Sequence, residues 1–513
     1  MSAVKRSCLC TLAGAAAALL CACTLGPDFV RPQPETPAKW SDRATAPAVV
    51  PEDSAGSGSA PARALRVTDQ AAELRSWWMG FDDPTLDGLI ERAVRSNLDL
   101  RTAVLRIEEA RAQRAVSASA FWPTVSADAS YTREQFSLTT PTGSLLNSAA
   151  SEHLPGGARI SIPNPYNQFQ VDGDLSWEID LFGRVRRSVE ASDAALQISI
   201  EDHRGVLLSV VADVAQSYME LRGAQTRLAV ARQNLATTNE LLDLTRQRLA
   251  AGLTTHIDVA NALAQMQLTR AELPAFELQI TQSINQLSEL ADRPPESLRS
   301  ELQSVAPLPR VPASVSIGLP SELARRRPDI REAEANLHAA TAQIGIAVAD
   351  LFPRLTLTGQ QGVQSEVTSD LFSWASRFGS IGPALTLPLF DRGRWKTVKL
   401  QNLRAQEAAL GYRRTVLNAL HEVENALAAY RADEERRAWL DATITHNRDA
   451  LLLSRQRYES GVSTFIEVLD AERTLQQNEL SLADSTTAVS TDLVRVYRAL
   501  GGGWEREAPA NPP

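Results

Sequence analysis

Cysteine is nearly absent from this chain. There are four in 513 residues, and all of them (Cys8, Cys10, Cys21 and Cys23) precede Thr24. The body of the protein therefore has no thiols for a disulfide framework or a cysteine-ligated metal. Histidine is scarce as well, with six residues: His153, His203, His256, His338, His421 and His446. His421-Glu422 begins like a zinc-protease motif, but position 425 is Asn425, so the second ligand is missing. No phosphate loop or dinucleotide fingerprint occurs, and Gly501-Gly502-Gly503 lacks the Lys and helix that a phosphate site needs. These absences point away from an enzyme and from a bound cofactor. No cluster of Met or His suits a metal-ion cargo. Basic residues do not dominate: 52 Lys and Arg against 61 Asp and Glu give a formal charge of −9, which argues against a nucleic-acid partner.

Long apolar runs are missing too, apart from Leu9 to Ala22, which follows Lys5 and Arg6. That run is too short for a comfortable membrane helix and reads as a secretory signal. Its end, Leu20-Cys21-Ala22-Cys23, resembles a bacterial lipobox. The small Ala22 suits cleavage, and the Cys23 thiol would carry the lipid; Cys21 fits worse because Leu20 precedes it. Cleavage there removes the other three cysteines and leaves 50 basic residues against 61 acids, a charge of −11. By resemblance to bacterial lipoproteins, Thr24 in place of Asp after the cysteine favours the outer membrane.

What is present is an internal duplication. Asp99, Arg101, Ala110, Ala112, Gln113 and Pro123 recur 230 positions later as Asp329, Arg331, Ala340, Ala342, Gln343 and Pro353. Arg246-Gln247-Arg248, Gly252 and Val259 recur 209 positions later as Arg455-Gln456-Arg457, Gly461 and Val468. The 21-residue difference places an insertion in the first copy, between Tyr131 and Gln168. Each copy reads helix, strand, loop, strand, long helix, turn, helix. The expected order is a signal peptide at 1–22, a lipidated tether at 23–76 and a first repeat at 77–290. An inter-repeat segment at 291–319, a second repeat at 320–500 and a tail at 501–513 follow.

The long helix of copy one carries heptads. Ile200, Leu207, Val214, Leu221, Leu228, Leu235, Leu242 and Leu249 fall seven apart. Mostly small residues follow three positions after the first seven of these: His203, Val210, Ser217, Ala224, Ala231, Thr238 and Thr245. From Arg184 to Ala250 such a helix would reach roughly 100 Å at about 1.5 Å per residue. Copy two repeats the pattern at Val416, Val423, Tyr430, Ile444, Leu451 and Tyr458, broken at Arg437. Helices this long imply a coiled coil or a helical tube.

Between Gln168 and Asp180, Phe169, Val171, Gly173, Leu175, Trp177 and Ile179 alternate with polar residues. A strand of period two then has one apolar and one acidic face, as in a membrane barrel. A soluble sheet would show the same alternation. Further strands are expected at Val125–Arg133, Leu351–Gln361 and Phe378–Phe390, the last disturbed by Pro383 and Pro388. Four strands cannot close a membrane barrel, and an open edge in lipid is intolerable, so membrane strands require assembly. Two chains or three would suffice.

Several motifs resemble the TolC-like outer-membrane efflux family, in its NodT/OprM-type lipoprotein branch. Trp77-Trp78-Met79-Gly80-Phe81-Asp82-Asp83-Pro84 with Leu86, Leu89 and Asn97 is similar to its opening, and Cys23-Thr24-Leu25-Gly26-Pro27-Asp28-Phe29 to its lipidated start. Trp177 to Arg184 resembles its strand-to-helix junction, and Ala324 to Ile330 the start of its second repeat. The resemblance implies a mainly α chain with membrane β. In a homotrimer, a coiled-coil periplasmic α-barrel would join a transmembrane β-barrel of twelve strands, four from each chain. It implies a passive exit duct for small molecules, set in outer-membrane lipid, working with a periplasmic adaptor (membrane fusion) protein and an inner-membrane proton-driven (RND-type) efflux pump. A duct for secreted protein and a structural coiled-coil lipoprotein are the alternatives; the lipid anchor favours efflux over secretion, and a plain coiled coil leaves the strands unexplained.

The resemblance also marks the helix turns. Glu467 stands where TolC has an aspartate, Asp470 matches a second acid, and Ile466 matches an apolar gate position. Glu467 and Asp470, three apart, share a helical face, and a trimer would set six carboxylates around one axis, favouring cations. Tyr458 and Asp258 match positions that tie neighbouring helices, whereas Ser463 replaces a linking arginine. The turns at Gly252-Leu253 and Gly461-Val462 match adaptor-contact points.

Overall fold

The computed structural model describes residues 24–33, 35–41, 66–68, 74–141, 144, 164–312 and 314–505. The expected signal segment 1–22, the expected lipidation site Cys23, most of the expected tether, the centre of the expected insertion and the end of the tail lie outside the described residues. In chain order the elements are β1 (Arg66–Thr68), α1 (Pro84–Ser96), α2 (Leu98–Ser119), β2 (Thr124–Glu134) and β3 (Tyr166–Ile179). Then come α3 (Arg184–Ala250), α4 (His256–Leu290), α5 (Arg299–Leu302), β4 (Ser314–Ser316), α6 (Pro320–Arg326) and α7 (Pro328–Ala349). The chain closes with β5 (Arg354–Ser365), β6 (Arg377–Thr386), α8 (Arg392–Glu459) and α9 (Phe465–Ala499). No described helix is long and apolar enough to cross a membrane.

The chain divides into two compact units, each drawing on both copies of the repeat. One comprises Met1–Val30, Ala110–Leu196 and Leu337–Ala408; the other Arg31–Glu109, Gln197–Asn336 and Ala409–Pro513. The first unit is built on a four-stranded antiparallel sheet of order β2-β3-β5-β6. Its register sets Leu175 beside Val125 and Gly359, and Leu357 beside Trp177 and Pro383. Period-two alternation therefore gathers Val125, Ala129, Val171, Leu175, Leu355, Val363, Ile381 and Leu385 on one face. Among the described residues it stays open: Val125 is 73% exposed and Ile381 76%. The other face carries Asp128, Asp172, Asp174 and Gln360, where Gln360 and Gln170 donate to Asp172 at 2.6 and 2.9 Å. Trp122 sits just before one end of β2, while Tyr131, Phe136 and Tyr166 lie at the other end.

Three strand limits differ from expectation by three residues or more, one being the end of β5, which runs on to Ser365 rather than stopping at Gln361. The third strand starts at Arg354 rather than Leu351 because Leu351 and Phe352 still hydrogen-bond back to Val348 and Ala349, prolonging the end of α7. The fourth ends at Thr386 rather than Phe390, just before Pro388, which has no N–H for a ladder. At the β3–α3 junction Arg184 grips Glu178 with two bonds of 2.7 and 2.6 Å, and Asp180 accepts from the Arg186 amide at 2.9 Å. Gly183 has φ +80°, and a Cβ there would stand 3.0 Å from Thr24 Cα, so the N-terminal segment lies directly against this turn.

In the second unit most of the heptad seam is buried, while Ile200, Leu235 and Leu249 are half-buried. Val214, Leu221, Ala224, Ala231, Thr238, Leu242 and Thr245 on α3 are in the core, as are Val416, Val423, Tyr430, Ile444, Leu451 and Tyr458 on α8. At the Arg437 break the neighbouring Glu434 and Ala438 are buried instead. The opening motif is now explicable. Trp77, Trp78 and Phe81 are core residues, and Trp77 stacks on Tyr497 at 4.8 Å. Asp83 caps α1 through the Thr85 and Leu86 amides, while its second oxygen accepts from the Tyr218 hydroxyl at 2.7 Å. Pro84 occupies the first helical turn, where its missing N–H costs nothing. Arg327, next to the Pro328 that starts α7, binds Asp329 and Glu422 at 2.8 Å and the last carbonyl of α9, Ala499, at 2.6 Å.

Candidate functional site at the helix turns

The α3–α4 and α8–α9 turns are built alike. Gly252 and Gly461 have φ of +71° and +78°, the left-handed conformation that glycine adopts without a Cβ penalty. Leu253 N–H bonds back to Arg248 and Gly252 N–H to Leu249, at 2.8 and 2.9 Å. Val462 and Gly461 repeat this with Arg457 and Tyr458, at 2.9 and 3.0 Å. Both helices thus stop with their last carbonyls satisfied. The chain then re-enters a helix through a capping box, Thr255 with Asp258 and Thr464 with Glu467. Asp258 and Glu467 are equivalent under the 209-residue shift. The capping threonines were not singled out from the sequence, although Thr-x-x-Asp and Thr-x-x-Glu ahead of apolar residues are the signal for them.

Asp258 Oδ2 accepts from the hydroxyls of Thr254 and Thr255 at 2.6 and 2.9 Å and from the Thr255 amide at 3.1 Å. Partial burial works against its ionisation, but these bonds prevail and hold the carboxyl below its ordinary range. Tyr458 donates to Thr254 Oγ1 at 3.3 Å, so Tyr458, Thr254 and Asp258 form a chain of contacts across the two turns. Arg248 lies 4.4 Å over the Tyr458 ring and donates to the Glu459 carbonyl at 3.1 Å. Thr254 is the link that sequence reading missed. Ser463 Oγ is buried and has no hydrogen-bond partner among the described residues.

Glu467 and Asp470 lie one turn apart at the start of α9, and both side chains are exposed. Ile466 beside them is 56% exposed, whereas Phe465, Val468 and Leu469 are buried and fix the orientation of the helix. Leu253 and Val462, at the turn tips, are 64% and 68% exposed. Among the described residues no group of His, Cys, Asp or Glu is arranged to hold a metal. The site offers exposed carboxylates, an apolar residue beside them and two apolar tips.

Comparison with known proteins bears on the family of the chain. The chain matches the profile of the "Outer membrane efflux protein" family at residues 89–292 and 319–502, which fall on the two copies of the repeat. It is 35% identical over 493 residues to outer membrane protein OprJ of Pseudomonas aeruginosa, covering 95% of each chain. It is 30% identical over 500 residues to nodulation protein T of Rhizobium leguminosarum bv. viciae, covering 96% of this chain and 93% of that one. The solved outer-membrane channel OprN is 33% identical and superposes with a TM-score of 0.81 over 94% of this chain and 100% of its own. Duplicated long helices, paired strand hairpins and full-length similarity lead to one conclusion: the chain belongs to the outer membrane efflux protein family.

Proposed function

We propose that three copies of this chain form the outer-membrane duct of a tripartite efflux pump, with the acids at the start of α9 forming its periplasmic constriction. That the protein is an outer-membrane efflux component follows from its family. The observation that carries assembly is the sheet: four strands, two open edges (β2 and β6) and an apolar face uncovered among the described residues, with three copies being the number that the family resemblance implies. In lipid such edges must pair, and three chains close a twelve-stranded barrel with that face outward and the Asp128/Asp172/Asp174 face towards water. Helices α2 and α8 support the same assembly. Leu105 and Val116 on α2, and Trp395, Leu403, Leu410 and Leu417 on α8, are apolar and exposed in the single chain.

At the turns, six carboxylates from Glu467 and Asp470 would face one another in the trimer, with Ile466 beside them. Close like charges focus a negative field, which admits cations and repels anions. The Tyr458–Thr254–Asp258 contacts hold the two turns of one chain together. Exposed Leu253 and Val462 with Gly252 and Gly461 are the tips offered to a periplasmic adaptor, which joins the duct to an inner-membrane pump. A lipid on Cys23 fits the close seat of Thr24 on Gly183, at the base of the sheet. The duct performs no chemistry and needs no cofactor; the pump supplies the energy. Small molecules are the cargo, passing through a lumen with no dedicated pocket. Native mass measurement of the detergent-solubilised protein tests the assembly: a species of three chains is expected, and a stable monomer or dimer overturns it.

A further inference from the structure

One turn beyond the acids, α9 carries a buried polar cluster inside an otherwise apolar seam. Glu472 is 1% exposed, packed within the cluster formed by Leu241, Leu242, Val468, Leu469 and Leu475. Its Oε1 accepts from the Thr238 hydroxyl of α3 at 3.0 Å and from Gln476 Nε2 at 3.1 Å. Gln476 Nε2 also reaches Thr238 Oγ1 at 2.8 Å. Gln265 of α4 donates to Gln476 Oε1 at 3.3 Å and accepts from Arg473 Nε at 2.6 Å. Arg455 of α8 stands 3.5 Å from Glu472 Oε2. Four helices therefore meet at one set of polar contacts.

A carboxylate in such a place costs free energy unless donors surround it, and burial raises the Glu472 pKa against the opposing pull of Arg455. Polar groups in a coiled-coil seam specify register at the expense of stability. Sliding or tilting α9 away from α3 would strip Glu472 of Thr238 while leaving it in the apolar seam. A groove of about 430 Å³ beside the cluster, lined by Leu268, Glu272, Arg473 and Gln477 among others, leaves room between α4 and α9. Thr238, Gln476 and Glu472 share their hydrogen bonds, so a shift of α9 would disturb them together.

We infer that Thr238, Gln265, Glu472 and Gln476 form the lock that holds the first turns of α9 in the closed register, with Glu472 as the positioning residue. This rests on the reading of Ile466, Glu467 and Asp470 as the constriction. Releasing the lock lets α9 shift and moves those side chains away from the axis. Glu472 touches no cargo; it acts through the helix that carries the gate.

The test uses the full chain in planar bilayers, comparing wild type, Glu472→Leu, Glu472→Gln and Glu467→Gln/Asp470→Asn, with trimer content checked on native gels. Glu472→Leu keeps the seam filled, and replacing buried charges by apolar groups is often tolerated. It is expected to raise mean conductance severalfold and to weaken cation preference. Glu472→Gln keeps the acceptor for Thr238 and Gln476 and is expected to stay at the wild-type level, a rescue that mere packing would not give. If Glu472→Leu assembles poorly, Thr238→Val/Gln476→Leu removes the same hydrogen bonds and should open the channel likewise. Wild-type conductance and selectivity in Glu472→Leu, while the double acid variant changes both, overturns the lock and leaves the gate standing. Equal opening by Leu and Gln overturns it too, because the hydrogen-bonded cluster would then not be the cause. Opening by Glu472→Leu with no effect of the acid pair supports the lock and moves the constriction elsewhere. No effect in any variant overturns both readings.

Discussion

Glu467 closes the capping box of α9 with Thr464 and is also exposed at the turn, so replacement by alanine removes a helix cap and a charge together. Glutamine separates the two roles, because its carbonyl can still accept from the Thr464 amide and hydroxyl. Glu467→Gln should keep the wild-type melting temperature in detergent while lowering cation preference in a bilayer. Glu467→Ala should lose both, with about 1 kcal/mol of helix stability gone with the cap. Equal melting temperatures for the two variants would show that the cap matters little. Asp492 allows a separate test. Burial, with Asp433 beside it, pushes its carboxyl up to about 6, partly opposed by Arg495 at 2.7 Å. A folded pKa above the unfolded one means that the folded state holds an extra proton between the two values. Stability from this group is complete below about pH 4 and is lost as pH rises through about 6. Asp492→Asn should therefore melt higher than wild type at pH 7.5, with the gap shrinking towards pH 4. A gap that is constant with pH would remove titration as its cause.

At the scale of elements, the long helices were legible because a seven-residue period sustained over eight repeats has no other simple explanation. The strands were legible in kind but not at their ends. Period-two alternation does not say where the end of α7 stops bonding backwards at Phe352, or how far apolar Leu387 and Leu389 stay in a ladder beside Pro388. The turns were found from their glycines. The threonines that complete them were missed, because a hunt for gate acids passes over the cap that the same acid serves. Glu472 was missed for a related reason: an apolar heptad pattern records which residues are greasy and is blind to a polar residue satisfied inside the seam. Close approach of α3 and α9 at Gly223 can be tested. A Cβ on Gly223 of α3 would lie 2.4 Å from the Thr487 side chain of α9. Gly223→Val should cost about 1–3 kcal/mol by overpacking. Gly223→Val/Thr487→Ala should recover most of it. Both are read as thermal or urea midpoints of the detergent-solubilised protein, and absence of recovery would place the strain elsewhere.

For the whole molecule, the decisive features are incomplete ones. Among the described residues the sheet has two open edges, its apolar face is bare, and α2 and α8 show apolar stripes that find no cover. In the proposed trimer neighbouring copies would meet each deficiency, and the start of α9 would become the place where three pairs of acids converge. The family could be read from the sequence because its motifs sit at structural joints. Asp83 caps α1, Arg184 ties strand to helix, and Arg327 ties the start of α7 to the end of α9. The gate could be read only by resemblance, since an exposed Glu and Asp on one helix face are unremarkable in a single chain. Reversal potential and conductance of the trimer in planar bilayers, wild type against Glu467→Gln/Asp470→Asn, test the central claim most directly. A small, cation-selective conductance that widens and loses selectivity in the variant is the predicted result. A robust conductance with unchanged selectivity would contradict closure by the α9 acids.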